Sequence, residues 1–170
     1  GDPNLGANGG PKTQDAGHAT RKNATAGSSL RGADYCAREN GVADSASDQD
    51  LGSGGAMLLP DLTDASNIVR HLVIGTGKDG NLYVVNRDSM GKFNSSGNSH
   101  IWQQVSGALP SGIFSTPAYF NGTVYYGDVG NTLKAFRISG AKFVATPQSQ
   151  SATQFAFPGT APSSSANGTS

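Results

Sequence analysis

"TPAYFNGTVYYGDVGNTLKAFRISG", residues 116–140, is the stretch that decides how the fold of this chain is interpreted. It contains one run of β-branched and aromatic residues over 123–126 and another run over 132–138. The residues between them, 127–131, are rich in Gly, Asp and Asn, which tolerate the backbone conformations of tight turns. The stretch therefore predicts two antiparallel strands joined as a hairpin.

A second hairpin of the same design precedes it in "HLVIGTGKDGNLYVVNRDSMGK", residues 71–92. Its predicted strands cover 71–74 and 81–86, with a turn at Lys78-Asp79-Gly80. Gly75 aligns with Gly127 after 52 residues, and Leu82 aligns with Leu133 after 51 residues. The hairpin is thus one copy of a repeated unit.

The residues that lead into each hairpin also recur. "STPAYFNGT" at 115–123 returns as "TAPSSSANGTS" at 160–170, and "SGGAMLLPD" at 53–61 is a less similar earlier copy. A period of about 45–60 residues with about four short strands is typical of a propeller blade. The predicted fold is therefore all-β, a partial β-propeller of about two blades plus the start of a third. Propellers close with about four to eight blades, so we expect the chain to be a fragment of a longer protein.

Composition separates the chain into two parts. Residues 1–50 contain three of the 31 Leu, Ile, Val and Phe residues, whereas residues 51–150 contain 26 of them. So few apolar side chains cannot offset the entropy lost on ordering the backbone. We therefore interpret 1–47 as a loop-rich or disordered segment and 48–170 as the incomplete propeller repeats. Twelve basic and twelve acidic residues cancel, which leaves no electrostatic signature of a nucleic-acid partner, and no apolar run is long enough for a transmembrane segment.

Residues 121–140, "NGTVYYGDVGNTLKAFRISG", resemble the PQQ-type (quinoprotein-like) β-propeller repeat, whose usual pattern is x-G-x-V-Y-x-G-x-x-x-G-x-L-x-A-x-x-x-x-G. "VIGTGKDGNLYVVNRDSMGKF" at 73–93 resembles the preceding copy. The resemblance covers about 48–170, and 11–47 depart from it. The proteins that the chain resembles are large, exported bacterial propeller proteins, and this resemblance implies an extracellular or periplasmic location.

Within that family, the true quinoprotein dehydrogenases hold pyrroloquinoline quinone on the propeller axis with a tryptophan platform, calcium and a catalytic aspartate. The one tryptophan here, Trp102, does not match the family's tryptophan docking motif. No residue of this chain matches the catalytic aspartate or the calcium ligands, so catalytic and cofactor-binding residues are unknown and no cofactor is identifiable. Quinone and calcium remain implied only for the full-length parent.

Asp44, Asp48 and Asp50 in "DSASDQDLGSGG" are the candidate metal ligands, because calcium favours several oxygen ligands on a flexible loop. The alternative is a polar turn before a strand. Cys36 is the only cysteine, with no identifiable base beside it, and His18, His71 and His100 are too far apart to form a local ligand cluster. The aromatic residues of the repeats fit a carbohydrate or peptide surface, but packing between blades is favoured; they are Trp102, Tyr119, Tyr125 and Tyr126.

These observations favour a binding or interaction scaffold whose ligand is unknown, with the remaining blades of the parent chain and an unidentified protein or polymer as partners. One alternative is part of a quinone-dependent alcohol or sugar dehydrogenase with its catalytic residues elsewhere. Another is a structural cell-surface protein without a small ligand. Blade shape alone does not carry chemistry, so the interpretation leans away from an enzyme.

Overall fold

The structure is a computed structural model that describes residues 19–26 and 29–168, with side chains described for 34–44 and 46–168. It is an all-β fold with one short helix, α1 (Gly41–Ala46). The strands are β1 (Ala19–Ala26), β2 (Ser29–Ala37), β3 (Met57–Leu58), β4 (Leu62–Thr63), β5 (Val69–Arg70), β6 (Leu72–Thr76), β7 (Leu82–Asn86), β8 (Lys92–Phe93), β9 (Gln103–Val105), β10 (Ala118–Phe120), β11 (Thr123–Gly127), β12 (Asn131–Ser139), β13 (Lys142–Phe143) and β14 (Ser149–Phe155).

Two antiparallel sheets form the centre of the fold. The first sheet has the order β3-β6-β7-β9, and the second sheet has the order β10-β11-β12-β14, with β13 paired to the end of β12. In both sheets the four strands follow one another as they do along the chain, with the small β4-β5 hairpin inserted between β3 and β6 of the first. Both hairpins predicted from the sequence are confirmed as β6-β7 and β11-β12.

The register of the two hairpins fixes the repeat spacing. Thr76 pairs with Leu82 in the first hairpin, and Gly127 pairs with Leu133 in the second. Since 127 − 76 and 133 − 82 both equal 51, one shift superposes both strands. Thr76, and not Gly75, is therefore the counterpart of Gly127, which corrects the alignment made from the glycines alone.

A turn at Asn121-Gly122 joins β10 to β11. Phe120 pairs with Thr123 around it, and the two turn residues have φ angles of 43° and 77°. Two successive positive φ values define the turn whose twist matches that of antiparallel strands. Any β-branched residue at Gly122 would be strained there.

The two sheets pack face to face. Leu72, Ile74, Leu82 and Val84 project from one face of the first sheet into a hydrophobic cluster that also contains residues of the second sheet, Val124, Tyr126 and Phe136. The opposite face of the first sheet presents Val73 and Val85, which pack with Cys36 and Met90 in a separate cluster. Both faces of β6 and β7 are therefore covered, which explains why their sequences are almost continuously apolar.

The segment interpreted as a loop or disordered arm contains regular structure over 19–26, 29–37 and 41–46. β1 pairs with β2, the end of β2 pairs in parallel with β8, and α1 follows. This differs from the expectation because the apolar content of a segment does not report contacts made with distant residues, here β8 and the outer cluster of the first sheet. Residues 1–18 and 27–28 of that segment lie outside the described residues.

Candidate functional site

Asp48 and Asp50, two of the three candidate calcium ligands, form ion pairs with the same lysine, Lys78. Their carboxylates approach the Lys78 ammonium at 2.8 Å and 2.9 Å. The hydrogen bond to Asp48, and after it in size the hydrogen bond to Asp50, raise the pKa of Lys78. The peptide N–H of Lys78 also donates to the Asp50 carbonyl at 3.0 Å, so this loop is tied to the β6-β7 turn through both backbone and side chains.

Asp44, the third candidate ligand, lies apart from them on α1 and is buried. Its carboxylate contacts the guanidinium of Arg38 at 3.1 Å and accepts a hydrogen bond from the Asn40 side chain at 3.0 Å. The guanidinium of Arg38 is itself only 3% exposed and also contacts Asp79 at 2.5 Å and the Gln49 carbonyl at 2.6 Å. Arg38 thereby connects α1 and the loop after it to the β6-β7 turn.

The Asp79 carboxylate accepts several hydrogen bonds at this turn. The Tyr83 hydroxyl donates to it at 2.5 Å, and the Asn81 side chain donates to it at 3.0 Å. Burial, together with the adjacent Asp79 carboxylate, raises the pKa of Tyr83 to about 12. A phenol this hard to ionise acts as a hydrogen-bond donor, so the hydrogen bonds of Tyr83 and Asn81 to Asp79 hold the turn in place.

The arrangement places a cation beside every candidate calcium carboxylate: Lys78 beside Asp48 and Asp50, and Arg38 beside Asp44. Among the described residues, no three His, Cys, Asp or Glu side chains come together in a geometry that fits a metal ion. As described, the carboxylates serve as ion-pair partners that fasten the 38–50 segment to the first sheet.

A cysteine–histidine contact was missed by the sequence reasoning. The Cys36 sulfur lies 3.7 Å from Nε2 of His100, although the two residues are 64 positions apart. Burial, followed by the nearby Asp34 carboxylate, raises the pKa of Cys36 to about 12, so the thiol is neutral at physiological pH. No sequence motif signals this pair, because it depends on β2 packing against the first sheet.

His71 lies at the surface: its Nδ1 lies 2.7 Å from the Asp88 carboxylate, and its side chain is 38% exposed. Its Nε2 lies 3.7 Å from Asp61, which also contacts Arg87. The side chain of His18 lies outside the described residues.

The packing role favoured for the aromatic residues is confirmed for three of them: Tyr126 lies inside the cluster between the sheets, and Trp102 and Tyr119 pack against it. Trp102 also links the sheets by a hydrogen bond. Its indole N–H donates to the Ala141 carbonyl at 2.6 Å, while Arg70 and Lys142 approach its ring at 4.7 Å and 5.6 Å from the centroid. The fourth aromatic residue, Tyr125, projects from the opposite face of the second sheet.

A comparison of the chain with protein-family models, with curated proteins and with solved structures finds no match. Within the part of the chain that the structure describes, no helix has the length and apolar character needed to cross a membrane.

Proposed function

We propose that this chain is a segment of a β-propeller that acts as a binding or interaction scaffold. The observation that carries the proposal is the stacking of two four-stranded antiparallel sheets of the same strand order, face to face. A blade of a propeller is such a sheet, and its neighbours cover both of its faces.

Which face of each sheet lies at the contact between the sheets also supports the proposal. Under the 51-residue shift, Val73 corresponds to Val124 and Ile74 corresponds to Tyr125. Ile74 and Val124 both lie in the cluster between the sheets, whereas Val73 lies in the outer cluster and Tyr125 lies in neither. The sheets therefore meet by unlike faces. Such head-to-tail contacts continue from unit to unit until a ring closes, whereas like faces would end the stack at a pair.

Equivalent loop contacts recur at one end of both sheets. The Lys78 N–H donates to the Asp50 carbonyl at 3.0 Å, and its counterpart 51 residues later, Val129, donates to Gly112 at 3.2 Å. The turn that leads to β10 is closed by Gly112 donating to Leu109 at 3.1 Å, and the next such turn is closed by Gly159 donating to Ala156 at 2.7 Å. This repetition of backbone geometry without matching side chains is expected of consecutive blades.

One surface is left for a further blade. We call it the open face of the second sheet; it comprises Ala118, Phe120, Thr123, Tyr125, Leu133 and Ala135. None of these residues belongs to either hydrophobic cluster of the described residues. Ala118, Thr123 and Ala135 are buried, whereas Phe120, Tyr125 and Leu133 are half-buried, and Arg137 beside Thr123 is the charged residue on this face. Apolar sheet faces are normally covered more completely. The remaining blades of the parent chain are the partner proposed for it.

This architecture and the resemblance to exported bacterial propellers support the proposed scaffold function, and the resemblance is the basis for proposing an extracellular or periplasmic location. Propeller loops present a partner-binding surface on a rigid frame. The proposed partner of the scaffold is a protein or a polymer.

The open face gives the first test. The isolated chain is expected to associate in sedimentation velocity as its concentration rises, because Phe120, Tyr125 and Leu133 on this face are only half-buried. Tyr125→Lys, at the centre of the face, should reduce association, whereas Leu58→Lys, at a side chain already 66% exposed on β3, should not. A monodisperse monomer that melts cooperatively at all concentrations would contradict the proposal.

A second test separates scaffold from enzyme. Calorimetric titration of the full-length parent protein with pyrroloquinoline quinone, with and without calcium, should give no saturable heat of binding if the repeat provides architecture only. Saturable binding that requires calcium would replace the scaffold by a quinone-dependent dehydrogenase. Asp44→Asn and Asp48→Asn would then show whether these carboxylates hold the calcium.

A further inference from the structure

The outer face of the first sheet, which carries Val73 and Val85, is covered in part by residues 34–50. These residues belong to neither of the two stacked sheets. On the outer face, the two valines pack with Cys36 from β2 and with Met90 from the loop after β7. All four side chains are buried. The 34–50 segment therefore helps to keep this apolar face from water.

The corresponding face of the second sheet is covered in a different way. The 51-residue shift relates the two valines of the outer face to Val124 and Phe136. These two side chains are fully buried in the cluster between the sheets, where the first sheet covers them. The second sheet thus has a neighbouring sheet where the first sheet has the 34–50 segment. The segment occupies the position in which a preceding blade would stack.

Arg38 joins this segment to the first sheet. Its guanidinium contacts the Asp79 carboxylate at 2.5 Å and lies 5.7 Å from the centroid of the Tyr83 ring. The same guanidinium contacts Asp44, within the segment, at 3.1 Å, and it is only 3% exposed. Removal of one partner from a buried ion pair is strongly destabilising. Loss of the Arg38 charge would therefore favour opening of the segment, which returns both carboxylates to water.

The other contacts between the segment and the first sheet are also mainly polar. Asp34 accepts a hydrogen bond from the Met90 N–H at 2.8 Å, the Glu39 N–H donates to Asn98 at 3.2 Å, and Lys78 pairs with Asp48 and Asp50 at 2.8 Å and 2.9 Å. The two stacked sheets, in contrast, share a large hydrophobic cluster. Elements with few buried apolar contacts open locally while the rest of a protein stays folded. The segment is therefore the part of this interface that is easiest to detach.

We propose that residues 34–50 form a detachable cap that prevents the outer face of the first sheet from stacking on the open face of a second copy of the chain. This inference rests on the proposed blade stacking. By the 51-residue shift, the open face corresponds to the face through which the first sheet already contacts the second. The outer face corresponds to the face through which the second sheet contacts the first. The open face of one copy and the outer face of another are therefore a matching pair of surfaces.

The cap determines how far the chain assembles. With the cap in place, two chains can stack through their open faces, and a contact between like faces ends at a pair. With the cap open, the open face of one chain can meet the outer face of the next chain. Such contacts between unlike faces continue from copy to copy. The closed cap therefore limits assembly to a dimer.

The test compares Arg38→Gln with Arg70→Gln in the full chain. Arg70 provides the matched control, because it also pairs with a carboxylate, Asp64 at 2.7 Å, and lies over the Trp102 ring, but away from the cap. Arg38→Gln should raise the rate at which iodoacetamide alkylates Cys36 at least about tenfold, and Arg70→Gln should leave this rate unchanged. In sedimentation velocity, the wild type and Arg70→Gln should stop at dimers, whereas Arg38→Gln should form larger species as its concentration rises.

Hydrogen exchange of the wild type, followed by nuclear magnetic resonance, tests the cap even if Arg38→Gln does not fold. The N–H groups of Glu39, Lys78 and Met90, whose hydrogen bonds join the segment to the first sheet, should exchange faster than those of β6, β7, β11 and β12. Equal protection of both groups would overturn the proposal, because the segment would then open only when the whole chain unfolds.

The outcomes for Arg38→Gln separate the cap from the blade stacking on which it rests. Equal alkylation of Cys36 in this variant and in the wild type would overturn the cap. Dimers of both proteins, or larger species of both, would also overturn the cap and leave the blade stacking in place. Monomers of both at all concentrations would contradict the blade stacking, and the cap with it.

Discussion

The contact between Gln103 and Phe143 offers the sharpest test of how the two sheets are joined. The Gln103 side chain donates from Nε2 to the Phe143 carbonyl at 2.9 Å and accepts at Oε1 from the Phe143 N–H at 2.8 Å. An amide side chain of the first sheet thus satisfies both backbone groups of a buried residue next to the second sheet. Gln103→Ala removes both hydrogen bonds and leaves the two backbone groups of Phe143 without them.

The size of the effect follows from these two bonds. A neutral hydrogen bond contributes a net of about 1 kcal/mol, and a buried group left unpaired costs more than that. Gln103→Ala is therefore expected to lower the free energy of unfolding by about 2–3 kcal/mol. In a chain of this size, that corresponds to a decrease of about 4–12 °C in Tm.

Gln104→Ala is the matched control, because successive strand residues project from opposite faces. The Gln104 side chain bonds Asn98 at 3.0 Å and Ser106 at 3.2 Å, so its partners lie on its own side of the interface between the sheets. Gln104→Ala should therefore change the free energy of unfolding by about 0.5 kcal/mol or less. Urea unfolding followed by circular dichroism measures both variants. Equal effects of the two substitutions would refute the account of the interface.

Four further predictions concern single side chains. The Tyr126 hydroxyl is buried without a hydrogen-bond partner among the described residues, so Tyr126→Phe should leave the free energy of unfolding unchanged or higher. Tyr83→Phe removes a hydrogen bond to the Asp79 carboxylate and should lower the free energy of unfolding by about 1.5–3 kcal/mol. Urea unfolding measures both tyrosine variants. Burial and the nearby Asp34 carboxylate raise the Cys36 pKa from its ordinary 9.0 to about 12, so the thiolate fraction falls strongly on folding. Iodoacetamide should therefore alkylate the native protein far more slowly than the urea-unfolded chain, and equal rates would contradict the burial of the thiol. Hydrogen bonds from the Ile68 backbone and then from the Arg70 side chain lower the Asp64 pKa below its ordinary 3.8. Its contribution to stability is present above that value and lost as pH falls through the lowered pKa, so Asp64→Asn should destabilise at neutral pH and match the wild type in strong acid.

The sequence predicted the two hairpins well because their signals are local. Strand runs with turn residues between them fix β6-β7 and β11-β12, and the Asn121-Gly122 turn is readable from two residues. The exact repeat spacing was less accessible, because Gly75 and Gly127 look equivalent by residue type. Only the pairing of Thr76 with Leu82 shows that the counterpart of Gly127 is Thr76.

The rest depends on contacts between distant residues. Asp44, Asp48 and Asp50 form one motif in the sequence, but the fold separates Asp44 from the other two and gives each a cationic partner. The contact between Cys36 and His100 requires β2 to pack beside the loop before β9, and neither element carries a sequence signal for the other. Trp102 likewise carries no sequence signal for its contact with Ala141, yet its indole bridges the two sheets.

The central claim is that the two sheets stack by unlike faces, and methyl-to-aromatic nuclear Overhauser effects test it most directly. In a sample with labelled Ile, Leu and Val methyl groups, the methyls of Ile74 and Val84 should contact the rings of Tyr126 and Phe136. The methyls of Val73 and Val85 should instead contact the Met90 methyl. Contacts from Val73 or Val85 to the Tyr126 ring would show that the opposite face of the first sheet meets the second sheet, and would contradict the account.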